Sequence, residues 1–245
     1  AHLEAAINDH PRFILFSSPC NPTGTVYTAA DFAPLVAVLE RHPEVMIVSD
    51  EIYEYINFSA VGHASIASFE SLQDRCIVVN GFSKGFSMTG WRLGYLAGPK
   101  WVAAACAKMQ GQFTSGANAF GQKAAADALL ADMRPTHDMT EAFQKRRDLV
   151  LRLLGDVEGF QVNHPEGAFY VFPNISALYG KTTPKGQPIA NSSDFCEYIL
   201  HQAHVAIVAG SAFGADDCVR LAYSTSEEEL TEAIRRIGAA VAALG

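Results

Sequence analysis

Much that would point to a metal, a membrane or a nucleic acid is missing from this sequence. Its five cysteines, Cys20, Cys76, Cys106, Cys196 and Cys218, include no CxxC pair. Their spacing therefore encodes neither a disulfide framework nor a cysteine metal site, and a reducing, cytoplasmic compartment fits that usage best. The eight histidines are scattered as well. His201 and His204 come close to a pair, but no acidic or cysteine partner stands at metal spacing, so the histidines read as surface or packing residues and no metal is expected. No apolar run reaches the ~18 residues that a membrane span needs. No basic-then-apolar segment opens the chain as a secretory signal would. Basic runs are lacking too: the densest cluster, Lys145, Arg146 and Arg147, falls in a helical pattern, and the net charge of −8 argues against a nucleic-acid surface.

What is present is ordinary globular material. At 245 residues, 49% hydrophobic and 18% charged, the chain can bury a sizeable core in one large domain or two smaller ones. It opens on Ala1 rather than Met. The stretch AHLEAAINDHPRF reads as the end of a helix entering a strand, so a portion preceding residue 1 is expected.

FILFSS (13–18) is an apolar run ending in the turn PCNPTG. A helical pattern from Thr28 to Arg41 follows, with Thr28 as N-cap and Asp31 behind it. VMIVSD (45–50), CIVVN (76–80) and LGYLAG (93–98) are further buried-strand candidates. Helices are expected after Pro99 to about Gln110 and from Phe120 to Ala131. Continuously apolar strands alternating with helices indicate an α/β layer with a mostly parallel sheet. ADMRPTHD (131–138) breaks the pattern at Pro135 and reads as a hinge before a helix from Thr140 to Leu154. The remainder mixes short strands (FQV, AFYVFPN, VAIVA, CVRLAYS) with helices at 193–203 and 226–243. The expected domains are thus residues 1–135, α/β, and residues 136–245, a smaller α+β domain.

Polar residues fall at informative places. Asn21 follows the first strand, Asp50 ends the second, and Lys84 follows the third, inside NGFSKGFSMTGWRLGY (80–95). In an open parallel sheet ligands bind beyond the carboxyl ends of the strands, and right-handed crossovers keep those ends on one edge. An amide, a carboxylate and an amine are thereby candidates for a shared crevice. Singly, each has a plain alternative: a turn former, a helix cap, a solvated charge.

Taken together, CNPTG (20–24), SDEIYE (49–54), FSKGFSMTGWRLGY (82–95) and VRLAYS (219–224) resemble, in order and separation, the blocks of the fold-type-I class I/II aminotransferases. The likeness spans essentially the whole chain and is greatest to bacterial aspartate aminotransferases. It implies a mostly parallel fold-type-I sheet, incomplete at the N-terminus, and pyridoxal 5′-phosphate as cofactor. Residues 1–135 would then be the remainder of the large cofactor-binding domain and residues 136–245 the small C-terminal domain.

The resemblance also implies roles, each with a physical reason. Lys84 would bond covalently to the cofactor and move the proton at the substrate Cα, because a buried lysine readily loses its proton. Asp50 would accept a hydrogen bond from the pyridine N–H and keep the ring protonated. Tyr53 and Asn21 would donate to the cofactor's phenolic oxygen. Arg92 would hold phosphate oxygens with its planar fork, and Ser83 is a further phosphate candidate. Gly81 stands where many relatives carry a second hydroxyl. Arg220, with Asn21, would bind the substrate α-carboxylate. Gly24 permits the tight turn after Pro22, and Asn21–Pro22 is expected to be cis. Trp91 and Tyr170 read as packing residues, with Tyr170 also able to approach the site.

The function so implied is transfer of an amino group between an L-amino acid, aspartate first, and a 2-oxo acid, 2-oxoglutarate first, by a homodimer when full length. Without the N-terminal phosphate loop and ring-stacking residue of the family, the fragment alone is expected to bind cofactor poorly and turn over little. Two alternatives stay open: a pyridoxal-phosphate-dependent lyase on the same scaffold, and an aminotransferase-like domain of a regulator.

Overall fold

A computed structural model describes residues 2–7 and 11–245. The helix-to-strand passage expected near the start lies partly outside them. The chain divides into two compact units, one of Ala1–Cys20 with Thr25–Asp138, the other of Asn21–Gly24 with Met139–Gly245.

The first unit opens with α1 (His2–Ala6), β1 (Phe13–Ser17), α2 (Ala29–Leu39) and β2 (Met46–Asp50). Then come β3 (Cys76–Gly81), β4 (Gly94–Ala97), α3 (Lys100–Phe113) and α4 (Ala119–Leu130). The sheet order is β1-β2-β3-β4, with β1, β2 and β3 parallel and β4 antiparallel to β3. Pairing of Ser17 with Asp50 and of Asp50 with Val79 brings the carboxyl ends of the parallel strands level. Helix α2 starts where Thr28 and Asp31 form a reciprocal capping box. Such a cap contributes about 1 kcal/mol. The helix buries Phe32, Val36 and Leu39 against Ile47, Ile66, Leu72 and Cys76. Two expectations need correcting: neither FILFSS nor LGYLAG forms a buried strand, for β1 pairs with β2 alone and its residues are exposed or half-buried. β4 pairs with β3 alone at the sheet edge, and its residues are exposed or half-buried.

Helix α5 (Arg134–Gly155) starts six residues before the expected Thr140. Pro135 does not break it, because a proline in the first helical turn lacks only an N–H that has no intrahelical acceptor there. The division between the units falls near its start. The second unit continues with β5 (Tyr170–Val171), α6 (Ser192–Ala203), β6 (Val208–Ala209), β7 (Val219–Ala222) and α7 (Glu227–Ala242). Its sheet is antiparallel in the order β5-β7-β6. FQV contributes only a single bridge, Gln161 to Asn174, rather than a strand. Asn191 and Ser226 cap α6 and α7. α7 buries Leu230, Ile234, Ile237 and Val241, the spacing of one helical face. Among the described residues no helix is long and apolar enough to cross a membrane.

Candidate active site

Asp50, Tyr53, Ser83, Lys84 and Arg92 lie in the first unit, and Asn21 and Arg220 in the second. Asp50 is the last residue of β2 and is half-buried. Its Oδ1 accepts the Ile52 amide at 3.1 Å, and no hydrogen bond engages Oδ2 among the described residues. A tight turn follows, closed by Glu54 N–H donating to the Glu51 carbonyl (2.9 Å) and Ile56 N–H to the Tyr53 carbonyl (2.8 Å). That turn buries Tyr53, which keeps only 4% of its surface exposed.

Beyond the end of β3, residues 83–86 form a second turn, in which Ser87 N–H donates to the Lys84 carbonyl at 3.1 Å. Ser83 and Lys84 are half-buried. Lys84 Nζ stands 5.9 Å from the centre of the Tyr53 ring, so two adjacent strand ends bring an amine and a phenol together. The following Gly85 has no room for a side chain: a Cβ there would come within 2.6 Å of the Tyr55 ring. Arg92 adopts a left-handed backbone (φ 55°) at the end of a short 3-10 turn, an uncommon conformation for a bulky residue. Its side chain is exposed, with Nη1 donating to the Thr89 carbonyl at 3.0 Å. Trp91, expected to pack, is 46% exposed.

A buried network escaped the reading of the sequence. Glu51, 4% exposed, accepts Ser49 Oγ (2.9 Å) and Ser65 Oγ (2.6 Å) on Oε1, and His63 Nε2 (2.9 Å) on Oε2. Burial alone would raise the Glu51 carboxyl, but the bonds from His63, Ser65 and Ser49 and the charge of His63 outweigh it and hold the group below its ordinary range. Burial pushes the neighbouring Glu54 carboxyl up. His63, taken for a surface or packing histidine, is thus the partner of a buried carboxylate. The only sequence signal was the alternation of Ser49 and Glu51, which puts both on the face opposite Asp50.

In the second unit, Arg220 on β7 lies between two aromatic rings, 4.5 Å from the centre of Tyr170 and 4.9 Å from that of Phe213. Its Nη1 donates to Asn21 Oδ1 at 2.8 Å, and its Nε is buried without a hydrogen-bond partner. Asn21 keeps its Nδ2 as a donor. The turn carrying Asn21 is anchored by Asn163 Nδ2 on the Thr23 carbonyl (2.7 Å) and by the Glu166 and Gly167 amides on the Gly24 carbonyl (2.8 and 2.9 Å). Asn21–Pro22 is cis, as expected.

Unit by unit, these groups suit the cofactor and substrate chemistry that the motifs imply. Among the described residues Asp50 has an unengaged acceptor oxygen for a pyridine N–H, where Glu51, its neighbour, has both oxygens taken. Lys84 and Tyr53 supply an amine and a phenol side by side. Arg92 keeps guanidinium donors for an anion. The unsatisfied Nε of Arg220 marks a place for a further acceptor, as a carboxylate would provide.

Comparison with known proteins agrees in kind. Residues 1–237 match the model of the family "Aminotransferase class I and II". An aspartate aminotransferase of Rhizobium meliloti (strain 1021) is 45% identical over 239 residues, 97% of this chain and 58% of that protein. A bifunctional aspartate aminotransferase and glutamate/aspartate-prephenate aminotransferase of Petunia hybrida is 44% identical over 238 residues, 96% of this chain and 50% of that one. The crystal structure of the Rhizobium meliloti aspartate aminotransferase superposes with a TM-score of 0.94 at 45% identity, covering 99% of this chain and 61% of that chain. The chain therefore spans 50 to 61% of the length of these relatives.

Proposed function

Because the chain belongs to the class I and II aminotransferases, which depend on pyridoxal phosphate, we propose that the protein carrying it transfers an amino group between an L-amino acid and a 2-oxo acid. Aspartate is the proposed donor and 2-oxoglutarate the proposed acceptor, in a homodimer. The observation that carries this reading is the approach of Lys84 Nζ to the Tyr53 ring at 5.9 Å, with Tyr53 three residues beyond Asp50 at the end of β2.

When bound, pyridoxal phosphate supplies a conjugated ring that takes up the electron pair left at the substrate Cα when its proton departs. In the proposed arrangement Lys84 would make the covalent attachment and would serve as general base for the proton at the substrate Cα. Asp50 would accept a hydrogen bond from the pyridine N–H and favour the protonated ring. The Tyr53 hydroxyl and Asn21 Nδ2 would be the donors to the cofactor's phenolic oxygen. Ser83 and Arg92 bind the phosphate, Arg92 with the planar donor fork that suits two oxygens at once. Arg220, with Asn21, binds the substrate carboxylate.

A lyase on the same scaffold is not favoured, since the relatives described above carry aminotransferase names. The test is reduction of the full-length holoenzyme with borohydride, peptide mapping, and assay of aspartate against 2-oxoglutarate and against prephenate, which the Petunia relative's name includes. The expected result is a pyridoxyl group on Lys84 and oxaloacetate formed with an acceptor present. A label on another lysine, or ammonia and pyruvate as products, would overturn the reading.

A further inference from the structure

Glu51 has no part in the chemistry proposed above, yet it is the most constrained acid beside it. A buried carboxylate is retained where donors compensate the lost water, and here Ser49, Ser65 and His63 all converge on it. Two of them come from a segment 12 and 14 residues further along the chain. The side chain therefore ties the exit of β2 to the segment around 63–65 and closes the loop between.

The backbone of the same residue is engaged at both ends. Glu51 N–H donates to the Val79 carbonyl on β3 at 2.9 Å, and the Glu51 carbonyl accepts Glu54 N–H at 2.9 Å, which opens the turn carrying Tyr53. Just before it, the Asp50 carbonyl accepts Ser18 N–H at 3.2 Å. Glu51 is thus the joint between the strand that ends in Asp50 and the turn that buries Tyr53. Strand alternation sends its side chain to the face opposite Asp50, so it supports from behind without touching what Asp50 binds.

Resting on the cofactor reading above, we propose that Glu51 is a positioning residue: clamped by Ser49, His63 and Ser65, it fixes Asp50 and Tyr53 in the geometry that the cofactor's nitrogen and phenolic oxygen require. The His63 hydrogen bond and the two serine bonds together hold it, so loss of any one loosens the joint without removing a reacting group. A shift of a fraction of an ångström in such groups slows turnover much more than it weakens substrate binding.

The experiment compares wild type with Glu51→Gln and Ser65→Ala in the full-length protein, with Ser65→Thr, which keeps the hydroxyl, as the conservative variant. Three readouts are taken: amide hydrogen exchange of the protein without cofactor, the pH midpoint of the bound cofactor's absorbance change, and kcat and KM. The expected result for Glu51→Gln and Ser65→Ala is faster exchange confined to residues 50–56, a displaced absorbance midpoint, and a kcat lowered about ten- to a hundred-fold with KM nearly unchanged. Ser65→Thr is expected to restore all three. Unchanged exchange in residues 50–56 would overturn the proposal whatever the cofactor does. So would exchange that rises throughout the first unit, which marks a merely structural residue. Failure of wild type to take a pyridoxyl label at Lys84 would instead count against the cofactor reading, and the exchange data would still decide the clamp.

Discussion

Arg220 Nη1 donates a 2.8 Å hydrogen bond to Oδ1 of Asn21, a residue 199 positions earlier in the chain. Both belong to one compact unit, because the short segment Asn21–Gly24 packs with the C-terminal part of the chain rather than with the strands that flank it in sequence. The bond and the two aromatic rings of Tyr170 and Phe213 set the plane of the guanidinium. Its buried Nε is left unsatisfied. A guanidinium so oriented, with an unmet donor, is prepared for an anion with two oxygens.

Replacing Arg220 with lysine keeps the charge but removes the planar fork and the stacking surface. We expect KM for both the amino acid and the 2-oxo acid to rise by roughly ten- to a hundred-fold, equivalent to about 1.4–2.8 kcal/mol, with a smaller effect on kcat. Steady-state kinetics with each substrate varied in turn checks this. Unchanged KM values would mean that the carboxylate is bound elsewhere.

Asp50→Asn preserves shape and removes the charge that would hold a proton on the cofactor nitrogen. The expected outcome is a fall in kcat of about a hundred-fold or more with the cofactor still bound, because this charge matters most when the electron pair is taken up. Absorbance spectra of the bound cofactor and single-turnover rates provide the measurement. Near-normal turnover would remove Asp50 from the site.

Gly24 has a φ of +70°, and a Cβ added there would lie 2.2 Å from the Pro165 Cβ. Gly214, in the same unit, has a φ of +74° but open space around it. Gly24→Ala should therefore destabilise by about 2 kcal/mol or more and Gly214→Ala by roughly 1 kcal/mol, the second being the left-handed strain without the clash. Urea unfolding of the two variants separates the terms. Equal losses would show that the turn yields to accommodate the methyl group.

The Glu51 carboxyl is held below its ordinary value of 4.5, against burial, by His63, Ser65 and Ser49. A depressed carboxyl contributes stability that is fully present above the unfolded pKa and is lost as pH falls through the folded one. Glu54, pushed up by burial, has the opposite sign and loses stability as pH rises through its folded value. The difference between wild type and Glu51→Gln reports the first effect together with the relief of Glu54, whose rise owes part to the Glu51 charge after burial. It should be large near neutrality and shrink as the pH drops below about 4.5, followed by urea midpoints across that range. A difference independent of pH would mean that the charge contributes nothing.

Local pattern carried much of the fold. Thr28 and Asp31 announced the start of α2 because a capping box is written within four consecutive residues. Apolar runs bounded by turns marked β1, β2 and β3. The burial of β1 and β4 was misread because their apolar composition matches that of a buried strand, whereas exposure depends on what packs beside an edge. Pro135 was misread because a proline starts a helix as readily as it ends one, and only the backbone around it decides.

The candidate site divides along the same line. Asp50, Tyr53 and Lys84 were legible because strand ends and short motifs are local, and the chemistry of an acid, a phenol and an amine is a property of the residues themselves. The order of the blocks from CNPTG to VRLAYS likewise belongs to the sequence alone, and with it the family. Which of the adjacent acids Asp50 and Glu51 is enclosed by donors, which histidine meets a carboxylate, and how Asn21 reaches Arg220 were decided by tertiary structure. Those contacts join residues 12 to 199 positions apart, or depend on such contacts. Their formation is governed by burial and by the need of every buried polar group for a partner, conditions that no single stretch of sequence contains.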